Sequence, residues 1–270
     1  MVAVTLSPIS CFIHKTFKIR HLKIKTLTSE DLTLPNRETW KMNSSYRKYY
    51  PVPLPTYNFI CPENALSEAE YFLKKMLKRH SIRDFSDADV NEKIIQTAIK
   101  TAARAPSGAN QQPWHFVAIR DIEMKRKIRN AAEAEEQKFY NGGGGDEWLA
   151  TLEPIGTGPH KPHITTAPWV IVIFAQRYGL RNDGTKYKHY YVPESVGIAT
   201  GILITALHNC GLSTLIHTPN PMSFLNNLCQ RAKNEKPVMI MPVGYPAPEA
   251  KIPIASLHKK SERRVFTVFK

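Results

Sequence analysis

Past residue 62, apolar residues recur at helical spacing in some stretches and in unbroken runs in others. Leu66–Lys78 carries Leu66, Ala69, Tyr71, Phe72, Met76 and Leu77 on one broad side of a helix. A second helix is capped by Asn91, and Ile94, Ile95, Ala98, Ile99, Ala102 and Ala103 recur along it until Pro106 forces a turn. Trp114–Ile119 reads as a strand. A highly charged helix follows from Ile122 to about Phe139 and is broken by Gly142–Gly145. Pro168–Ala175 is a continuous apolar, β-branched run, the pattern of a strand covered on both faces. Tyr191–Asn209 is helical and apolar most of the way round, with Gly211 at its C′ position, so it belongs in the core or at a subunit interface. Leu212–Ile216 and Val238–Val243 read as strands flanking a helix over Phe224–Cys229, and the alternation of Arg264–Phe269 suits an edge strand. Helices interspersed with four or five strands define a single α+β or α/β domain.

The folded part is expected to start near Glu63. Pro51, Pro53, Pro55 and Pro62 mark an extended lead-in, which makes 1–62 a largely disordered extension and 63–270 the domain. Residues 1–29 hold Lys15, Lys18, Arg20, Lys23 and Lys25 and no acid. That composition fits an organellar targeting segment, a disordered extension, sequence upstream of a true start at Met42, or a weak membrane anchor. A secretory signal is disfavoured, because the basic residues follow the apolar Val2–Ile13 stretch. No apolar run reaches the ~20 residues of a membrane span.

Thirty-seven Lys+Arg against 23 Asp+Glu give a net charge of +14, which favours anionic partners: nucleic acid, acidic membrane or a phosphorylated small molecule. Part of that charge lies in the extension, so it is poor support for nucleic acid. Cys11, Cys61, Cys210 and Cys229 form no CxxC pair, which argues against a disulfide scaffold or zinc ribbon and for a reducing, cytoplasmic setting.

No GxGxxG follows a strand, and neither GxxxxGK[ST] nor GxSxG occurs. His160 and His163 could ligate a metal but lack acidic or Cys neighbours at ligand spacing. Three segments carry chemistry. Arg79-His80-Ser81-Ile82-Arg83 places two guanidiniums, an imidazole and a hydroxyl at a helix end, either a phosphate grip or a solvated terminus. Ala105-Pro106-Ser107-Gly108-Ala109-Asn110 joins a helix to the Trp114 strand through small residues, a plain turn or a backbone cradle. Pro242-Val243-Gly244-Tyr245-Pro246 ends the last core strand, ahead of Lys259-Lys260.

In this order the three segments resemble the FMN-dependent nitroreductase superfamily, over about residues 70–270. The resemblance implies an α+β fold with a central mixed sheet flanked by helices, in an intertwined homodimer that buries FMN at its interface. It also implies that Arg79, His80, Ser81 and Arg83 face the phosphate and ribityl chain, and that Ser107, Gly108, Ile216, His217 and Thr218 contact the cofactor. Lys259 fills the C-terminal phosphate position. His80 stands where many relatives carry a second Arg.

Glu136-x-x-x-Tyr140, with Lys161 a further 21 residues on, resembles the lid of the iodotyrosine deiodinase branch, as do Tyr190–Ala199 and His217-Thr218-Pro219. A free amino acid is a zwitterion, and taking it out of water requires an anion for its ammonium and a cation for its carboxylate. Glu136 and Lys161 supply that pair, and the Tyr140 hydroxyl can bond the same head group. Taken alone, the spacing also fits an ordinary surface pair. The resemblance further implies that the Ala109 N–H holds the phenolate oxygen and that Thr218 bonds flavin N5, favouring one-electron steps. The implied reaction is halotyrosine dehalogenation, with electrons from NAD(P)H directly or through a reductase. The main alternative is a general nitroreductase or quinone reductase lacking an amino-acid lid. A flavin-cleaving branch lacks the triad, and no nucleic-acid-binding motif is present.

Overall fold

Asn91 and Asp121 show how local chemistry starts the helices. The Asn91 side chain accepts the Lys93 N–H at 2.9 Å, and the Asp121 carboxylate accepts that of Met124 at 2.7 Å, each satisfying an amide that the first turn leaves open. A computed structural model describes Leu54 and residues 58–270. The basic N-terminus, the Met42 start and Pro51, Pro53 and Pro55 lie outside the described residues.

In chain order the elements are α1 (Pro62–Met76), α2 (Glu92–Ala102), β1 (Trp114–Ile119), α3 (Ile122–Lys138), α4 (Asp146–Leu152) and α5 (His163–Thr166). They continue with β2 (Trp169–Gln176), β3 (Tyr178–Leu180), β4 (Lys186–Lys188), α6 (Val192–Asn209), β5 (Ser213–Thr214), α7 (Phe224–Leu228) and β6 (Glu235–Gly244). Residues Ile60–Lys270 pack as one unit.

The main sheet runs β1-β2-β6-β5. A mixed sheet was the expectation, but all three pairings among these strands are antiparallel. Ile119 at the end of β1 lies opposite Val170 at the start of β2, so the helical excursion between them returns to the end of the sheet it left. A parallel contact survives as the isolated bridge Ser81–Thr214.

β2 is the partition of the domain. Trp169, Ile171, Ile173 and Ala175 pack into a cluster with residues of α2 and α6, while Val170, Val172 and Phe174 pack against residues of α3 and α7. The period of two along a strand sends alternate side chains to opposite faces, and helices cover both. α6 buries Val196, Ala199, Leu203 and Leu207, and Gly211 adopts φ +77° just past its end.

Two expectations change, and two features lie outside them. The apolar side of α1 is not core: α1 buries no residue, and Leu66, Tyr71, Phe72 and Leu73 are exposed, because nothing in the described chain covers that face. Arg264–Phe269 forms no strand, since it pairs with no sheet edge among the described residues, and Val265, Phe266, Val268 and Phe269 stay exposed. The Leu212–Ile216 strand contracts to two residues, with the isolated bridge His217–Ile240 beyond it. The β3–β4 hairpin is additional, turning at Gly184 with φ +80° while Asp183 accepts the Thr185 N–H at 2.9 Å. Among the described residues, no helix is long and apolar enough to cross a membrane.

Candidate active site

Glu136 and Tyr140 lie one turn apart where α3 gives way, at Phe139, to a wider turn running to Gly143. Gly142 takes φ +112°, a conformation that side chains rarely adopt. Gly144 packs beneath the Phe139 ring, where a Cβ would come within 2.6 Å. Phe139 in turn meets Tyr140 and Trp148 edge-on at 5.3 and 5.1 Å. Through Gly144 the glycine run packs on Phe139, and the Phe139–Trp148 contact sets α4 against the end of α3.

A cavity of about 480 Å³ lies beneath this cover. Lys161 is buried in its wall, 5% exposed, with Nζ 2.9 Å from Glu136 Oε2 and 5.8 Å from the centre of the Tyr140 ring. The Tyr140 hydroxyl hydrogen-bonds the Thr157 hydroxyl. The predicted triad thus converges within one chain. Glu136 and Lys161 neutralise each other in a pocket that neither charge could enter alone.

His217 and His163 line the same cavity with their rings edge-on, 6.0 Å apart. Burial, reinforced by Lys161, His163 and Arg83, lowers the His217 pKa to about 3. Burial, with Lys161, Arg83 and Arg129, lowers that of His163 to about 4. His217 Nε2 lies 3.9 Å from Glu136 Oε1, within ion-pair distance, but the neutral ring makes this a polar contact and not a salt bridge. The Nε2 atoms of both histidines are buried without a hydrogen-bond partner, an uncommon state for a buried polar atom.

Arg83 also reaches the cavity. It follows the Ser81–Thr214 bridge and the Ile82 N–H bond to the Thr214 carbonyl at 3.2 Å, which fix its strand beside β5. Burial lowers its pKa, and it makes no ion pair with any described residue. Ile216 and Thr218 complete this wall. The backbone of His217 between them is held by reciprocal bonds with Ile240 at 2.9 and 2.8 Å.

The other predicted residues do not line the cavity: Arg79, His80, Ser81, Ser107, Gly108, Ala109 and Lys259. Gly108 packs against the entry to α6, its N–H reaching Ser195 Oγ at 3.3 Å, and a Cβ there would sit 2.5 Å from the Tyr190 carbonyl oxygen. Ser107 Oγ accepts the Gln112 N–H at 2.9 Å. Ala109 and Asn110 take φ +50° and +52°, left-handed geometry that is costly for an alanine. Lys259 is exposed and donates to the Ser256 carbonyl at 2.8 Å.

Sequence reasoning missed Leu152 and Ile155, which complete an apolar roof with Trp148, although their spacing of i, i+4, i+7 from Trp148 marks one helical face. It also missed Thr157, which no local pattern announces.

Residues 76–245 match the Nitroreductase family, and the chain belongs to that family. An iodotyrosine deiodinase from Haliscomenobacter hydrossis is 46% identical over 208 residues, covering 77% of this chain and 93% of that protein. An iodotyrosine deiodinase from Nematostella vectensis is 40% identical over 75% of this chain and 77% of its own length. The fold is similar to a crystal structure of oxidized iodotyrosine deiodinase bound to FMN and 3-iodo-L-tyrosine, with a TM-score of 0.60 and 27% identity over 74% of this chain and 97% of that one.

Proposed function

We infer that this chain is an FMN-dependent oxidoreductase that removes the halogen from halogenated tyrosine, as an iodotyrosine deiodinase does. The observation that carries this reading is the buried Glu136–Lys161 pair beside Tyr140 in the cavity beneath α4. The iodotyrosine deiodinases above support it. A substrate zwitterion exchanges one ion pair for two: its ammonium takes Glu136, and its carboxylate takes Lys161. Tyr140 closes over the head group, and the Trp148 roof keeps water from the ring.

The residues present fit FMN. Arg83 offers an uncommitted cation in the cavity wall, and His163 and His217 offer unsatisfied Nε2 atoms to a polar ring edge. Arg79, His80, Ser81 and Lys259 would hold the phosphate and ribityl chain, and Ser107, Gly108, Ile216, His217 and Thr218 the rest of the cofactor. When bound, FMN supplies two electrons that, with one proton, convert 3-iodotyrosine to tyrosine and iodide. The Ala109 N–H would hold the phenolate oxygen, and the Thr218 hydroxyl would donate a hydrogen bond to the flavin.

The active form is a homodimer. Its support is the exposed apolar face of α1, the unpaired apolar C-terminal segment and the Ser107–Ala109 loop lying off the cavity, all surfaces suited to a second copy. NAD(P)H, directly or through a reductase, supplies the electrons. Among the described residues, Cys210 and Cys229 are in no disulfide, which supports a reducing compartment such as the cytoplasm.

The deciding experiment mixes dithionite-reduced, FMN-loaded protein with 3-iodotyrosine under anaerobic conditions. Stoichiometric iodide and tyrosine with flavin reoxidation are expected. Reoxidation by a nitroarene or quinone but not by iodotyrosine would make the chain a general nitroreductase.

A further inference from the structure

Lys161 is gripped at both ends by one face of α3. Glu136 holds its Nζ at 2.9 Å, and Glu133, one turn earlier on that face, accepts its backbone N–H at 2.7 Å. The same Glu133 oxygen accepts Arg129 Nε at 2.7 Å, and Arg129 Nη1 reaches Thr165 Oγ1 at 3.0 Å. The segment that carries Lys161 is thus tied to α3 at Lys161 itself and again at Thr165. Burial pushes the Glu133 carboxyl up, but the Lys161 amide and Arg129 outweigh it, and Glu133 stays below the usual carboxylate range. It is an ionised acceptor at neutral pH. Neither Glu133 nor Arg129 lines the cavity.

The two grips differ in what happens to them when substrate arrives. On the reading above, a zwitterion takes both Glu136 and Lys161 Nζ, so the side-chain grip is spent at the moment of binding. The backbone grip is untouched. We propose that Glu133 is a positioning residue for amino-acid recognition: its bond to the Lys161 N–H keeps Lys161 aimed into the cavity after Glu136 has turned to the substrate ammonium. Without it, Lys161 loses its backbone tie to α3 as the side-chain pair opens, and only the bonds of Thr157 and Thr165 hold the segment around it. Glu133 touches neither substrate nor cofactor, so it bears on the charged head group alone.

This inference rests on the deiodinase reading, and the test separates the two. Oxidised, FMN-loaded wild type, Glu133→Ala, Glu133→Gln and Glu136→Gln are titrated with 3-iodotyrosine and with 2-iodophenol, which lacks the head group, following the flavin spectrum. Glu133→Ala is expected to raise the Kd for 3-iodotyrosine about tenfold or more, as for loss of one charge-assisted hydrogen bond. It should leave 2-iodophenol binding unchanged. Glu133→Gln keeps a carbonyl acceptor for the Lys161 N–H and should restore most of the affinity. Wild-type 3-iodotyrosine affinity in Glu133→Ala, equal weakening toward both ligands, or no rescue by glutamine would each overturn the positioning role. Full 3-iodotyrosine affinity in Glu136→Gln would instead overturn the head-group reading itself.

Discussion

On the proposed reading, the substrate end and the cofactor end of the site are built differently. Glu136, Tyr140 and Lys161 converge within a single chain, positioned by helical spacing on α3 and by a turn packed under Phe139. Most of the residues assigned to the cofactor sit on loops that stay off the cavity: Arg79, His80, Ser81, Ser107, Gly108 and Lys259. A charged head group has to be desolvated completely, which demands a pre-formed, buried pair. A larger cofactor can be held at a seam between two copies, where loops that satisfy their own backbone inside one chain still present a face outward.

That contrast can be broken from the substrate end with the largest effect. Lys161→Ala leaves Glu136 without its partner in the cavity wall. It should cost about 3 kcal/mol of stability, as breaking a buried pair does, read by urea denaturation of the cofactor-free protein. Halotyrosine binding should fall by about a hundredfold or more, the equivalent of ~3 kcal/mol. A variant with unchanged stability and binding would mean that the pair is not part of the site.

A change at the cofactor end should be smaller and should fall on a different ligand. Gly108→Ala forces a Cβ to within 2.5 Å of the Tyr190 carbonyl oxygen, so the loop must shift. FMN retention is expected to weaken by about tenfold, or ~1.4 kcal/mol, measured by fluorescence of released flavin. The Glu136–Lys161 geometry should be preserved, visible as normal 3-iodotyrosine affinity once FMN is saturating. Unchanged FMN affinity would remove the loop from the cofactor site.

The remaining expected effect is on pH dependence. His163 at about 4 and His217 at about 3 lie below the ordinary value of 6.5, so between those limits the unfolded chain binds protons that the folded one refuses. Their contribution to stability is complete above about 6.5 and is lost as pH falls toward 4 and then 3. The Tm of wild type should therefore drop over that window, and His163→Gln/His217→Gln should drop less. Parallel curves for the two proteins would show that the buried imidazoles do not titrate this way.

The partition of the fold was legible because burial imposes a period. β2, covered on both faces, reads as an unbroken apolar run, and α2 and α3 announce their starts through Asn91 and Asp121. Apolar periodicity on α1 and Arg264–Phe269 was just as visible, yet it says only that a surface seeks cover and not which chain provides it. The β3–β4 hairpin was signalled by Asp183-Gly184 and passed over. In the site, the triad was legible through a resemblance and an even helical step. The Glu133 bond to the Lys161 amide was not, because it joins a side chain to a backbone group 28 residues away.

On the proposed reading, the resting Glu136–Lys161 contact also acts as a filter on what can enter. An iodinated tyramine offers only an ammonium, and an iodinated hydroxyphenylpropionate only a carboxylate. Either would have to part the two residues and could satisfy just one, leaving the other as a lone buried charge at a cost of several kcal/mol. Molecules with half the head group therefore fare worse than those with none, and selectivity for amino acids follows from a contact that exists before any ligand arrives.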